Sequence, residues 1–236
     1  MRTYVRFFYL YLASLATISC ADGEPLRVGV AANFASTLES LLRGQTPFTA
    51  NVSISAAATG VLATQIQLGA PFDVFLGADE SRPMKVFTAQ PGHDKPTCYA
   101  QGSLMLLGAS TLEELNGAGR LAIANPDIAP YGRAATEILT RFPNNSMKII
   151  KGASALQAYQ FYASGNVDYA LVPASLAQEE GLLVPAQWHR PIAQFGMVLQ
   201  NPKKLNLEAR AFMLWLLSEA VQEQLVEMGY ERCQND

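Results

Sequence analysis

The sequence predicts an α/β protein built on largely parallel sheets. Short apolar runs rich in β-branched residues alternate with segments of helical period along most of the chain. Gly69 and Gly165 follow two of those segments where a helix C-terminal cap is expected. Half of the 236 residues are hydrophobic, enough for one large domain or two small ones with real cores.

The elements follow in order. "LRVGVAA" (26–32) is an apolar strand, and Phe34, Leu38, Leu41 and Leu42 then fall on one helical face, with Asn33 at the junction as N-cap. "VSISAAA" (52–58) precedes a helix over Val61–Leu68, and "FDVFLGA" (72–78) precedes a short segment that Asp79 caps. "GRLAIAN" (119–125) leads into a helix over Arg133–Phe142, and "MKIIKGA" (147–153) into one over Ala155–Ala163. "DYALVPA" (168–174) leads into a short helix. Two strand-like runs, "CYAQGSLMLLG" from Cys98 and "RPIAQFGMVLQ" from Arg190, have no following helix and suit crossovers between two lobes. The last stretch, Leu207 to Met228, is expected as one packing helix with Phe212, Met213, Leu216, Leu217 and Ala220 on its apolar face.

The N-terminus stands apart. "MRTYVRFFYLYLASLATISCADG" has Arg2 and Arg6, about a dozen apolar residues and then small ones, the plan of a secretory signal too short for a membrane span. Cleavage is expected after Ala21. The rival is lipid anchoring at Cys20, whose upstream Thr17 stands where a leucine is usual. Removing Cys20 leaves Cys98 and Cys233, and an oxidising compartment favours their pairing over two buried thiols.

Chemistry is sparse. The net charge is −3 with only 16% charged residues, so no nucleic-acid footprint exists. Asp73 and Asp79 lie on one strand face but about 20 Å apart at 3.3 Å per residue, too far for a glycosidase pair. His93 and His189 lack metal-ligand spacing and are expected at the surface; "GAS" at 152–154 is no nucleophile elbow. Arg133 is expected as a solvated arginine at a helix start. What remains is four strand-to-helix junctions: "AANF" (31–34), "AATG" (57–60), "APYG" (129–132) and "GASAL" (152–156). None contains Lys, His, Cys or a carboxylate. Helix N-termini converging at strand ends present N–H donors and a positive dipole end, which favours binding an anion over catalysis.

These stretches also carry a resemblance. "VAANFASTL", "AATGVLATQIQLGAPFDVFLGAD", "GRLAIANPDIAPYGRAA" and "ALQAYQFYASGNVDYALVP" resemble, in order and over nearly all of the mature chain, the molybdate-binding periplasmic proteins of ABC importers. "GAPFDVFLGAD" with Pro83, and the Pro-x-Gly turn in "NPDIAPYG", are the most specific parts. The resemblance implies the two-lobed periplasmic binding fold of the second type, each lobe a mostly parallel sheet flanked by helices. With the signal over 1–21 and the two crossover runs, the expected division is a first lobe from 22–101 and 195–236 and a second from 102–194.

The ligand implied is molybdate, with tungstate as a second; the alternatives are another oxyanion such as sulfate, or a secreted two-lobed enzyme. Asn33 matches a side-chain donor of the first loop, and Thr59 a serine of the second. Tyr131 and Ala155 match backbone N–H donors. These four would hold molybdate as an oxyanion, with no bare cation and no cofactor. Ala32 and Pro173 depart from a threonine and a tyrosine seen in relatives, which removes one or two side-chain contacts. The implied partner is a membrane permease, the implied location the periplasm, and a monomer is expected.

Overall fold

The computed structural model describes residues 24–44, 46, 52–90, 92–177, 180–200 and 206–233. The expected signal over 1–21, Cys20 included, lies outside them. Two five-stranded sheets divide the molecule. The first takes β1 (Leu26–Ala31), β2 (Val52–Ala57), β3 (Val74–Leu76), β4 (Thr97–Gly102) and β10 (Ile192–Val198) in the order β2-β1-β3-β10-β4. The second takes β5 (Leu104–Leu107), β6 (Arg120–Ala124), β7 (Lys148–Gly152), β8 (Tyr169–Pro173) and β9 (Leu182–Leu183) in the order β7-β6-β8-β5-β9. Only β10 and β5 run against their neighbours, so both sheets are mostly parallel. The chain crosses from the first sheet to the second at Ser103 and returns between Leu183 and Ile192.

The two halves repeat one winding. β1 steps outward to β2 through α1 (Ala35–Arg43), and β2 steps back past β1 to β3 through α2 (Thr59–Gln67). Right-handed crossovers in opposite directions put their helices on opposite faces, and a crevice opens between them at the strand ends. Phe34, Leu38 and Leu41 therefore pack on one face with Val28, Val30 and Val74, while Leu62 and Ile66 pack on the other with Phe75. α4 (Pro130–Leu139) and α5 (Ala155–Ala163) do the same for the second sheet, with Ala135 and Ile138 on one face and Ala158 on the other.

Several boundaries differ from the sequence reading. α4 starts at Pro130 and not Arg133, because proline fits the first helical position, where no intrahelical N–H bond is lost. α2 likewise begins two residues early, at Thr59. The segment after Asp79 is a nine-residue helix, α3 (Ser81–Ala89), whose N-cap position is Glu80 and not Asp79; from one residue earlier, Asp79 still accepts the Arg82 N–H at 2.9 Å. Asn33 is not an N-cap: Phe34 occupies that position with no side-chain cap, and the Asn33 carboxamide bonds elsewhere.

The expected single helix at the C-terminus is two, α7 (Leu207–Leu216) and α8 (Glu219–Glu227). Ser218 takes an extended conformation between them and donates its hydroxyl to the Trp215 carbonyl. The turn redirects burial to Val221 and Leu225, leaving Ala220 exposed. The short helix α6 (Ala174–Ala177) follows β8. Cys98 and Cys233 form a disulfide with Cα atoms 6.1 Å apart. Beside it, Gln101 and Glu231 exchange two backbone hydrogen bonds of 2.8 Å, so the tail covers the edge strand β4.

Candidate functional site

The four junctions singled out by composition meet in space. A narrow cavity between the lobes is lined by Ala31, Ala32 and Asn33 after β1, by Ala58 and Thr59 at the start of α2, and by Ala78 after β3. The opposite wall is Ala129, Pro130 and Tyr131 at the start of α4, with Ser154 and Ala155 at the start of α5. No lining residue carries a carboxylate or a cationic side chain. Thr59, Tyr131 and Ala155 sit in the first turns of their helices, where backbone N–H groups have no intrahelical carbonyl to bond. Three helix N-termini from two lobes thus aim donors and dipoles into one neutral space, the requirement for holding an anion without a counter-charge.

Each candidate has a definite local role. Thr59 is 1% exposed, and its hydroxyl oxygen accepts the Ala78 N–H at 3.0 Å, which leaves the hydroxyl proton to donate. Ala155 opens α5, whose cap is Ser154: its oxygen accepts the Gln157 N–H at 3.2 Å, while Gln157 Oε1 accepts the Ala153 N–H. Asn33 is 2% exposed; its carboxamide nitrogen donates to Gln194 Oε1 at 3.0 Å and to the Tyr131 hydroxyl at 3.5 Å. Burial, with the Tyr230 phenol nearby, pushes the Tyr131 hydroxyl well above the ordinary tyrosine range, so it stays neutral. Ala32 lines the cavity, whereas Pro173 does not and ends β8 opposite Leu104.

Sequence reading missed Ala78, Ser154 and Gln194. A serine directly before a helix is an N-cap signal, so Ser154 was available to inspection. Nothing in "IAQFGMV" marks Gln194 as completely buried.

Arg133 is not simply solvated. It donates to Asp79 Oδ2 at 2.8 Å across the lobes, and Arg82 pairs with the same carboxylate while donating to the Asp127 carbonyl at 2.7 Å. The Gly60 N–H reaches the Ile128 carbonyl beside them at 3.1 Å. Burial alone would raise the Asp79 pKa; the Arg82 N–H and the Arg133 and Arg82 guanidiniums outweigh it and hold the carboxyl below its ordinary value. Arg133 and Asp79 face a wider cleft of about 580 Å³, together with Glu137 and Arg190. Its guanidiniums are already paired, Arg133 with Asp79 and Arg190 with Glu137, so it offers an anion no uncommitted cation. The histidines also have partners: His93 accepts the Gln200 N–H at 2.8 Å, and His189 Nδ1 lies 2.8 Å from the Arg190 carbonyl. Among the described residues no group of three His, Cys, Asp or Glu could hold a metal ion.

Comparison with known proteins gives a consistent picture. Residues 26–231 match the family model described as bacterial extracellular solute-binding protein. The molybdate-binding protein ModA of Azotobacter vinelandii is 32% identical over 235 residues, spanning 90% of this chain and 92% of its own. That of Rhodobacter capsulatus is 34% identical over 233 residues, 90% of each chain. The solved Azotobacter vinelandii periplasmic molybdate-binding protein superposes with a TM-score of 0.78 at 30% identity, covering 89% of this chain and all of that one.

Proposed function

The chain belongs to the bacterial extracellular solute-binding protein family, and on that premise we propose that it captures molybdate, and tungstate as a close analogue, between its lobes and delivers it to the permease of an ABC importer. It is a binding protein and not an enzyme. The observation that supports the ligand is the charge-free cavity where helix N-termini of both lobes meet. A buried dianion must be matched by hydrogen-bond donors over its oxygen lone pairs. In this reading Thr59 supplies a hydroxyl, Tyr131 and Ala155 supply backbone N–H groups, and Asn33 lines the first-loop wall. Neutral donors on rigid helix ends need little reorganisation, and they release the ion more readily than a buried arginine would. The names of the relatives support molybdate in particular.

In this reading the protein works in the periplasm as a monomer, exported by a signal cleaved after Ala21. Its first lobe takes the chain up to Gly102 and again from Ile192, and its second takes residues 103–191, where the sequence reading set the boundaries at 101/102 and 194/195. A thermal-shift series of molybdate, tungstate, sulfate and phosphate tests the ligand. At a thousandfold excess over Kd, a ligand selective for the native state adds about 4 kcal/mol. Molybdate and tungstate should both shift the melting temperature. A shift with sulfate or phosphate alone would replace molybdate with that oxyanion.

A further inference from the structure

Gln194 is completely buried in the strand that carries the chain back to the first lobe, and the anion chemistry above makes no use of it. A primary amide in such a place is costly unless its polar atoms are bonded. Its Oε1 accepts from Asn33 Nδ2 at 3.0 Å and from the Tyr99 hydroxyl at 3.1 Å, and its Nε2 donates to the Tyr131 hydroxyl at 3.2 Å. Tyr99 and Gln194 belong to β4 and β10 of the first sheet and Asn33 to the turn that follows its strand β1, whereas Tyr131 lies in the first turn of α4 in the second lobe. The phenol therefore crosses the lobe boundary to reach two first-lobe amides. Its seat exists only because residue 102 has no side chain: a Cβ on Gly102 would lie 1.8 Å from the Tyr131 oxygen and 3.2 Å from Gln194 Nε2.

We propose that Gln194 is a positioning residue for the captured anion, forming with Asn33 and the Tyr131 hydroxyl a lock made only when the lobes close. This rests on the reading that an oxyanion is held between the lobes. Tyr131 then has two tasks. Its main chain, in the first turn of α4, faces the anion, and its side chain holds the lobe that brings that main chain into place. Asn33 changes role accordingly: its carboxamide N–H groups are committed to Gln194 and Tyr131, so its side chain serves closure and leaves Thr59 as the side-chain donor to the ion.

A contact made after encounter slows ligand escape and leaves capture nearly untouched. Stopped-flow measurements with molybdate on Tyr131→Phe, Gln194→Leu and the double variant separate the two. Tyr131→Phe keeps the ring and the backbone N–H. Loss of its hydroxyl should raise the dissociation rate about five- to tenfold, with the association rate constant within about twofold of the unmodified protein. The double variant should dissociate no faster than the faster single variant, because both changes break one lock. The ligand-free melting temperature of Tyr131→Phe should be unchanged. An unchanged dissociation rate in Tyr131→Phe, with molybdate still bound by the unmodified protein, would overturn the lock alone. A fall in ligand-free melting temperature with no kinetic effect would reduce the cluster to core packing. Failure of the unmodified protein to bind molybdate would overturn the functional reading and the lock with it.

Discussion

Thr59 commits its hydroxyl oxygen to the fold, which leaves its hydroxyl proton for the proposed anion. It accepts the Ala78 N–H, fixing the turn after β3 against the start of α2. Thr59→Val keeps the shape and removes both functions. Titration calorimetry should show molybdate affinity weaker by about 1.5–3 kcal/mol, the scale of a hydrogen bond to a charged group, with Thr59→Ser close to the unmodified protein. Asp79 makes a second prediction at this scale. Its folded pKa is depressed below the ordinary value of 3.8. The stability it contributes is therefore present above 3.8 and is lost as pH falls through the lower folded value. Urea unfolding of the unmodified protein and Asp79→Asn should differ by a constant amount from pH 7 down to about pH 5. The two should converge at lower pH. A difference that persisted unchanged through that acid range would exclude the Asp79–Arg82–Arg133 network as its source.

At the scale of elements, the site depends on how closely helix starts approach strand ends. Gly132 lies in the first turn of α4, directly over the end of β6. A Cβ there would meet the Ala124 carbonyl oxygen at 2.2 Å, with no flexible side chain to give way. The glycine of the Pro-x-Gly turn is thus required by contact with backbone and not by its own φ. Gly132→Ala should push α4 off the sheet, costing about 1–3 kcal/mol of stability in denaturant unfolding. It should also weaken anion binding, because the Tyr131 N–H moves with the helix. The break between α7 and α8 belongs to the same scale. Its apolar spacing suits one helix, yet the extended Ser218 turns the chain so that Val221 and Leu225 join Phe212 and Leu216 in one core.

At the scale of the whole molecule, each lobe is tied to the other by a short crossing at Ser103 and a longer return before Ile192. The closed arrangement is held by the Asp79–Arg133 pair, the Arg82 bond to Asp127 and the Tyr131 phenol. If molybdate selects this arrangement, small-angle scattering should report a smaller radius of gyration with the ion than without it. An unchanged radius would indicate a cleft formed before binding. The disulfide acts on the chain as a whole, closing a loop of 135 residues and fixing the tail against β4. Replacing Cys98 and Cys233 by serine should lower unfolding free energy by about 2–4 kcal/mol while leaving molybdate affinity nearly unchanged.

The alternation of strand and helix, the small-residue junctions and the two strand-like runs without a following helix were all legible in the sequence, because periodicity and turn chemistry are local properties. The four junctions could be picked out because small residues at helix starts mark a place where backbone is meant to be approached; Asn33, Thr59, Tyr131 and Ala155 within them came from the family resemblance. Local pattern could not give Arg133 its partner, since Asp79 lies on the other lobe. Nor could it reveal that Asn33 is a buried donor and not a cap, or that Gln194 lies at the centre of a polar cluster. A side chain's partner across a lobe boundary is set by how two sheets pack, and that packing is the sum of many apolar contacts that no short stretch contains. The sequence by itself determined most of the elements and marked the junctions between them; tertiary structure alone decided which buried amides and phenols meet, because their hydrogen bonds join residues 63 to 161 positions apart.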